Sequence, residues 1–248
     1  VSEDMEHKEY FVEFEKHKVA YTMVQTRRKT VGIIVDRNGE VRVHAPFYMS
    51  ERQICEVVQK KADWIIKKVN EVMKRNSNVV VRQFVRGEKF LYLGKEHTLE
   101  IVEKNLDQPE VFIKDDIIIV CISQGLSEED RKRIVKEALI KWYKQRFVEM
   151  VKERMEKYSV QLNVTPCKVA IKDQKTRWGS CSTKGNINLN WRVIMAPMEI
   201  IDYVIVHELC HLKVMNHSKD FWNLVASVLP SCYESRKWLR MNGYVLYL

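Results

Sequence analysis

Over residues 10–125 short β-prone apolar runs alternate with polar and turn-forming stretches, the pattern of a segment made mainly of strands. Residues 10–14, 19–24, 31–35 and 40–44 read as strands. The last two flank Asp36-Arg37-Asn38-Gly39, whose Asn-Gly pair supplies the positive φ angles of a tight hairpin. One helix interrupts them. Ser50 and Gln53 make a capping box, and Ile54, Val57, Val58, Lys61, Trp64 and Ile65 follow at helical spacing to about residue 75. Strands resume at 79–81, 89–93, 98–102, 111–113 and 117–122.

After Gln124-Gly125-Leu126 the pattern becomes helical. Ser127 caps a long helix whose first turn carries Glu128, Glu129 and Asp130, where carboxylates complement the helix dipole. Its apolar stripe is Ile134, Ala138, Trp142, Phe147, Val151 and Met155, and it is expected to end near Tyr158. A strand at 168–171, a loop of small residues and a strictly alternating strand at 186–191 follow, the last with one face buried and one wet. The segment 185–191 reads equally as an edge strand able to pair with an extended peptide and as an internal strand. Helices are expected at 197–214, 219–229 and 232–241, with no internal repeat. The fold class is therefore α+β: a strand-rich N-terminal domain over 1–126 and a helical/β domain over 127–248.

Composition narrows the class without deciding it. The 248 residues are 46% hydrophobic and 30% charged, the mixture of a globular protein, and no apolar run approaches the roughly 20 residues of a membrane span. The opening Val1-Ser2-Glu3-Asp4 leads into no apolar stretch, so no signal peptide is visible, and a chain starting on Val leaves room for preceding residues. Six scattered cysteines form no C-x-x-C pair, which argues for reduced thiols in a cytoplasmic protein. The net charge of +9 can attract nucleic acid or phosphate-bearing ligands, but the Lys and Arg spread along the chain as on ordinary solvated helix faces.

His207-Glu208-Leu209-Cys210-His211 is an H-E-x-x-H motif on the 197–214 helix. Residues four apart on a helix lie about 40° apart around its axis, so both imidazoles can face one ion. Glu208 lies about 100° round from His207, near the metal yet free to hold a water. Ile200, Ile201, Val204, Ile205, Leu209 and Leu212 give this helix a large apolar surface, and polar groups buried with it need partners. His217, six residues after His211, is placed to return a third imidazole after a sharp turn. Where related metalloproteases carry glycine in that turn this chain has Val214, and Asn216 is the residue expected to supply a left-handed conformation. Three imidazoles leave one position for water, the open coordination of catalytic zinc, although they also accept other transition ions. Glu208 would then take the proton of the attacking water. Cys210 points away from the two His and reads as a packed thiol.

Around this motif the chain resembles the YgjP-like metallopeptidase family. The resemblance rests on Lys175-Thr176-Arg177-Trp178-Gly179-Ser180-Cys181-Ser182, Asn188-Leu189-Asn190-Trp191-Arg192 and Ile201-Asp202-Tyr203-Val204-Ile205-Val206 leading into the motif. It continues through Asn216-His217-Ser218 and Phe221-Trp222 to Arg236-Lys237-Trp238-Leu239. It implies a zincin-like domain with His207, His211 and His217 on zinc and Glu208 as the catalytic carboxylate. Lys175 and Arg177, in the loop before 186–191, are candidates to hold a phosphate or a transition-state oxyanion. Asp202 reads as a helix-start acid.

Three functions compete. The first is a zinc peptidase. The second is metal-dependent hydrolysis of a nucleoside triphosphate or another small phosphorylated substrate, against which the lack of a Gly-rich phosphate loop counts. The third is a nucleic-acid-associated metalloprotein, which rests on charge alone. No membrane partner is expected.

Overall fold

The computed structural model describes residues 9–36, 38–76, 82–174 and 176–248. It is an α+β chain that divides into two compact units, Val1–Val80 and Val81–Leu248.

In the first unit β1 (Glu9–Phe14), β2 (His17–Thr26), β3 (Gly32–Val35) and β4 (Val41–Pro46) form one sheet in the order β1-β2-β4-β3. Two antiparallel hairpins are joined by the parallel pair β2/β4. The hairpin expected at residues 36–39 joins β3 to β4, with Gly39 at φ 87°. The single helix expected after Ser50 is two, α1 (Glu51–Gln59) and α2 (Ala62–Asn76). The predicted capping box is present. Lys61 N–H then donates to Val58 O, three residues back, which tightens the last turn and ends α1. Ile54, Val58, Ala62 and Ile65 pack on Val12, Tyr21, Val41 and Val43 to close this core.

The second unit opens with β5 (Lys89–Tyr92), β6 (Lys95–Lys104), β7 (Glu110–Lys114) and β8 (Ile117–Ser123), in the order β5-β6-β8-β7. Its pairing is again antiparallel, parallel, antiparallel. Each four-strand run thus has the same topology and is followed by a helix. The two runs share strand order and pairing sense without any repeat visible in the sequence. The strand expected at 79–81 lies outside the described residues.

From Ser127 as cap runs α3 (Glu128–Leu162), which passes the predicted end and stops at Asn163 in the left-handed conformation, φ 49°. Its buried face, from Val135 through Trp142, Tyr143 and Phe147 to Leu162, packs on β8 and on the segment before the next helix. A third sheet, β9 (Lys168–Lys172), β10 (Gly179–Cys181) and β11 (Asn186–Asn190), has the order β10-β11-β9. A 3-10 turn, Trp191–Met195, leads to α4 (Met198–Cys210), α5 (Lys219–Val228) and α6 (Cys232–Asn242).

The units part at 80/81 rather than at the 126/127 position read from sequence, for a visible reason. The tight β5–β6 turn, with Leu93 at φ 52° and Gly94 at φ 79°, docks on the 3-10 turn. Leu93 N–H donates to Ile194 O (3.0 Å) and Gly94 N–H to Met195 O (3.1 Å). A Cβ on Gly94 would stand 2.8 Å from the Pro197 ring, so only glycine allows this approach. Phe90, Leu99, Ile118 and Val120 share one core with α3 and α4. No helix among the described residues is long and apolar enough to cross a membrane.

Candidate metal centre

The floor of the site is α4. It is apolar nearly all round, from Ile200 to Leu209, and almost every residue on it is buried. Asp202, read from sequence as a helix-start acid, is buried. Its carboxylate lies 3.4 Å from the Arg154 guanidinium on α3, and burial together with this carboxylate pushes the Tyr158 hydroxyl of that helix up to about 12. This buried pair ties α4 to the long helix behind it.

His207 closes the last turn of α4 and His211 is its C-cap, so the helix ends earlier than expected. Lys213 N–H and Val214 N–H both return to Cys210 O, and the chain reverses without a left-handed residue. Asn216 does not take the left-handed role. Its Oδ1 accepts from Ser218 N–H at 3.2 Å, a local side-chain turn that delivers Ser218 as the cap of α5. Val214 has its own use. Its carbonyl lies 3.1 Å from His211 Nδ1, which sets that nitrogen as the N–H and leaves Nε2 bare.

The three imidazoles converge. His207 Nε2 and His217 Nε2 are 3.1 Å apart, and one nitrogen from each of His207, His211 and His217 lies within 4.8 Å of the others. Two nitrogens held 2.0–2.1 Å from one tetrahedral ion are themselves about 3.3 Å apart. The rings are set by Phe221, fully buried on α5, which stacks on His211 at 4.5 Å and meets His207 and His217 edge-on. Trp222 stacks on the exposed His217 ring. Burial, then the fields of His211, His217 and Arg236, hold His207 down at about 3, and burial lowers His211 as well. Three converging imidazole nitrogens, the His211 tautomer set by the Val214 carbonyl, form a donor set suited to a transition ion.

Glu208 is 5% exposed, and its Oε2 has no hydrogen-bond partner among the described residues. Burial pushes its carboxyl up to about 7, while the nearby Arg177 guanidinium pulls the other way. The group lies against Gly179 of β10. A Cβ there would come within 2.5 Å of Glu208 Oε1 and 2.7 Å of its Cγ, so this is a cradle that any side chain would fill.

The outer strand of the third sheet beside α4 is β10, whereas β11, the residue run considered for an edge, is central. Asn190 N–H donates to Trp178 O (2.8 Å) and Ser182 N–H to Asn186 O (3.0 Å). The alternate residues Gly179 and Cys181 therefore aim their backbone N–H and C=O at the open edge. Nor does β11 have one wet face. Asn190 is fully buried, and its amide donates to Gln174 O (2.7 Å) and Arg177 O (3.0 Å), pinning the loop before β10.

Beside His207 and Glu208 opens a cavity of about 330 Å³. Arg177 lines it, whereas Lys175 lies outside the described residues. Tyr203, Arg236 and Arg240 also line it and were not singled out as site residues from sequence. Tyr203, four residues before His207 on one helix face, was legible from spacing; the two arginines of α6 were not. Cys210 is buried, with its thiol raised to about 12 by that burial, and all six cysteines are free.

A family model described as YgjP-like, metallopeptidase domain, matches residues 29–242. Among solved structures, the metallopeptidase zymogen of Pyrococcus abyssi abylysin is 29% identical, with a TM-score of 0.34, over 37% of this chain and 94% of that one. The zymogen of Methanocaldococcus jannaschii jannalysin is 27% identical, with a TM-score of 0.33, over 36% of this chain and 93% of that one. Among curated proteins none matches.

Proposed function

Because the chain belongs to the YgjP-like metallopeptidase family, we propose that it hydrolyses peptide bonds using zinc held by His207, His211 and His217, with Glu208 as general base. The observation that carries this reading is the convergence of three imidazole nitrogens beside a buried carboxylate whose Oε2 has no hydrogen-bond partner among the described residues. Zinc in such a set supplies a Lewis acid that polarises a carbonyl and acidifies water. The residues do the rest. Glu208 takes a proton from the attacking water and hands it to the leaving amine. The open edge of β10 binds the substrate as an added antiparallel strand, through the free backbone groups of Gly179 and Cys181. Arg177, pinned by Asn190, stands near enough to Glu208 to bias its charge and to face a developing oxyanion. The six free thiols suit a reducing, cytoplasmic setting.

The test is metal content coupled to cleavage. Wild-type protein incubated with zinc and desalted is expected to hold about one ion per chain, and His211→Ala is expected to lose most of it. Chelation is expected to abolish cleavage of an unstructured protein, and added zinc to restore it. A wild-type chain that takes up no transition ion, or cleavage indifferent to chelator, would end the proposal.

A second prediction concerns the cradle. Gly179→Ala is expected to keep the fold and the ion but to slow cleavage on the order of 10²-fold, because the new methyl displaces the Glu208 carboxylate by about an ångström. Unchanged kinetics in a variant of wild-type melting temperature would show that the carboxylate has room elsewhere.

One observation favours a nucleotide phosphoanhydride as substrate instead: three arginines line the cavity beside Glu208. Family membership favours the peptide.

A further inference from the structure

The arginines of the second unit divide into two groups. Every one outside the cavity, from Arg82 to Arg192, stands within 3.7 Å of a carboxylate oxygen. Arg177, Arg236 and Arg240 have no carboxylate partner among the described residues, and these three line the 330 Å³ cavity next to His207 and Glu208. They come from two distant parts of the chain. Arg177 sits in the loop that Asn190 pins, while Arg236 and Arg240 are one turn apart on the same face of α6. Three like charges around one hollow repel one another, an arrangement that a bound anion relieves.

The geometry of the hollow limits what that anion is. The Arg236 guanidinium carbon stands 4.6 Å from the centre of the Trp222 ring, a cation–π contact that holds the group beside the hollow. Trp178, Tyr203, Val204 and Leu239 supply apolar wall between the arginines. The volume is at the small end for ligand pockets and suits one side chain or chain terminus rather than a folded segment. Gly179 belongs both to the cavity wall and to the open edge of β10, so a peptide laid along that edge has a neighbouring residue over the cavity.

We propose that this cavity is a specificity subsite for a carboxylate on the peptide substrate, recognised by Arg236 and Arg240 with Arg177 at its rim. The carboxylate comes from an acidic side chain next to the scissile bond or from the free C-terminus, and the proposal rests on the peptidase reading above. Arginine pairs a planar carboxylate through two parallel N–H···O bonds, and partial exclusion of water strengthens them.

The experiment uses the full-length, zinc-loaded protein and quenched fluorescent peptides of one scaffold. One arm places Glu, Ala or Lys at each position around the cleaved bond with an amidated C-terminus. The other keeps Ala throughout and compares a free with an amidated C-terminus. One arm or the other is expected to show kcat/KM at least about tenfold higher for the carboxylate-bearing peptide. In Arg236→Met/Arg240→Met that ratio is expected to fall towards one, and zinc content, read separately, to stay at the wild-type level.

Binding is read independently of turnover. The Glu208→Gln protein is titrated with an acetylated tripeptide ending in free Glu and with its fully amidated Gln counterpart. Preference for the acid, lost with the two arginines, supports the subsite even if the wild type cleaves no peptide, and that combination would sink the peptidase reading alone. A ratio near one in both arms, or equal losses on all peptides in the arginine variant, overturns the proposal. So does release of phosphate or pyrophosphate from nucleoside triphosphates that disappears in that variant, since the hollow would then be a phosphate site.

Discussion

Glu208→Gln is expected to bind zinc as the wild type does and to cleave an unstructured protein about 10²–10⁴ times more slowly. The substitution changes almost nothing but charge and basicity. Glutamine has the shape of glutamate, so the cradle at Gly179 and the packing of α4 are kept, and none of the three imidazoles is altered. What disappears is the one carboxylate, among the described residues lining the cavity, that can take a proton from water and return it. An amide has no such capacity near neutral pH. The size of the loss follows from general-base catalysis by a positioned carboxylate. Removing it leaves only what the ion and the binding surface contribute. Metal analysis and cleavage rates on the same preparation make the check. Activity within about tenfold of wild type, with zinc in place, would show that another group moves the proton and would remove Glu208 from the mechanism.

The largest structural effect is expected at Phe221. Phe221→Ala deletes a fully buried ring that touches all three imidazoles, and the cost expected of such a deletion is about 3–5 kcal/mol. For a unit of this size that corresponds to a fall in melting temperature of roughly 6–20 °C. The measurement is made on chelated protein, so that lost metal linkage is not counted as lost packing. Zinc affinity is expected to fall as well, because His211 loses the ring it stacks on and His217 loses one wall. Phe221→Leu keeps most of the volume and is expected to recover most of the stability but less of the affinity, since an aliphatic side chain fills space without fixing ring planes. A stability change under about 1 kcal/mol for the alanine variant would mean that the site collapses around the vacancy and that the rings are positioned by their backbone alone.

The two predictions draw on different kinds of information. Glu208 is a candidate on local grounds. Its place beside His207 and four-residue His spacing are properties of a helix whatever surrounds it. Phe221 is an apolar residue three after a Ser cap, indistinguishable in sequence from any core aromatic, and only coordinates reveal the rings it holds. The same division explains the misread details. Asn216 was the natural candidate for a left-handed turn, yet the turn is made with ordinary backbone and Asn216 bonds to Ser218 instead. Asn190 sits at a position that alternation assigns to solvent, and is buried because two carbonyls of a distant loop satisfy its amide.

What the sequence determined by itself was therefore whatever depends on near neighbours along the chain: the α+β class from two periods of burial, the caps at Ser50 and Ser127, and the H-E-x-x-H spacing. These follow from helix and strand geometry, which repeats every few residues and leaves a readable trace. Tertiary structure decided the division at 80/81, the choice of β10 over β11 as the open strand, and the cradle at Gly179. It also decided the meeting of Arg177 with Arg236 and Arg240. Each of these joins segments tens of residues apart through packing of apolar faces. Packing depends on the shape of both partners at once, so neither stretch of sequence carries the answer alone.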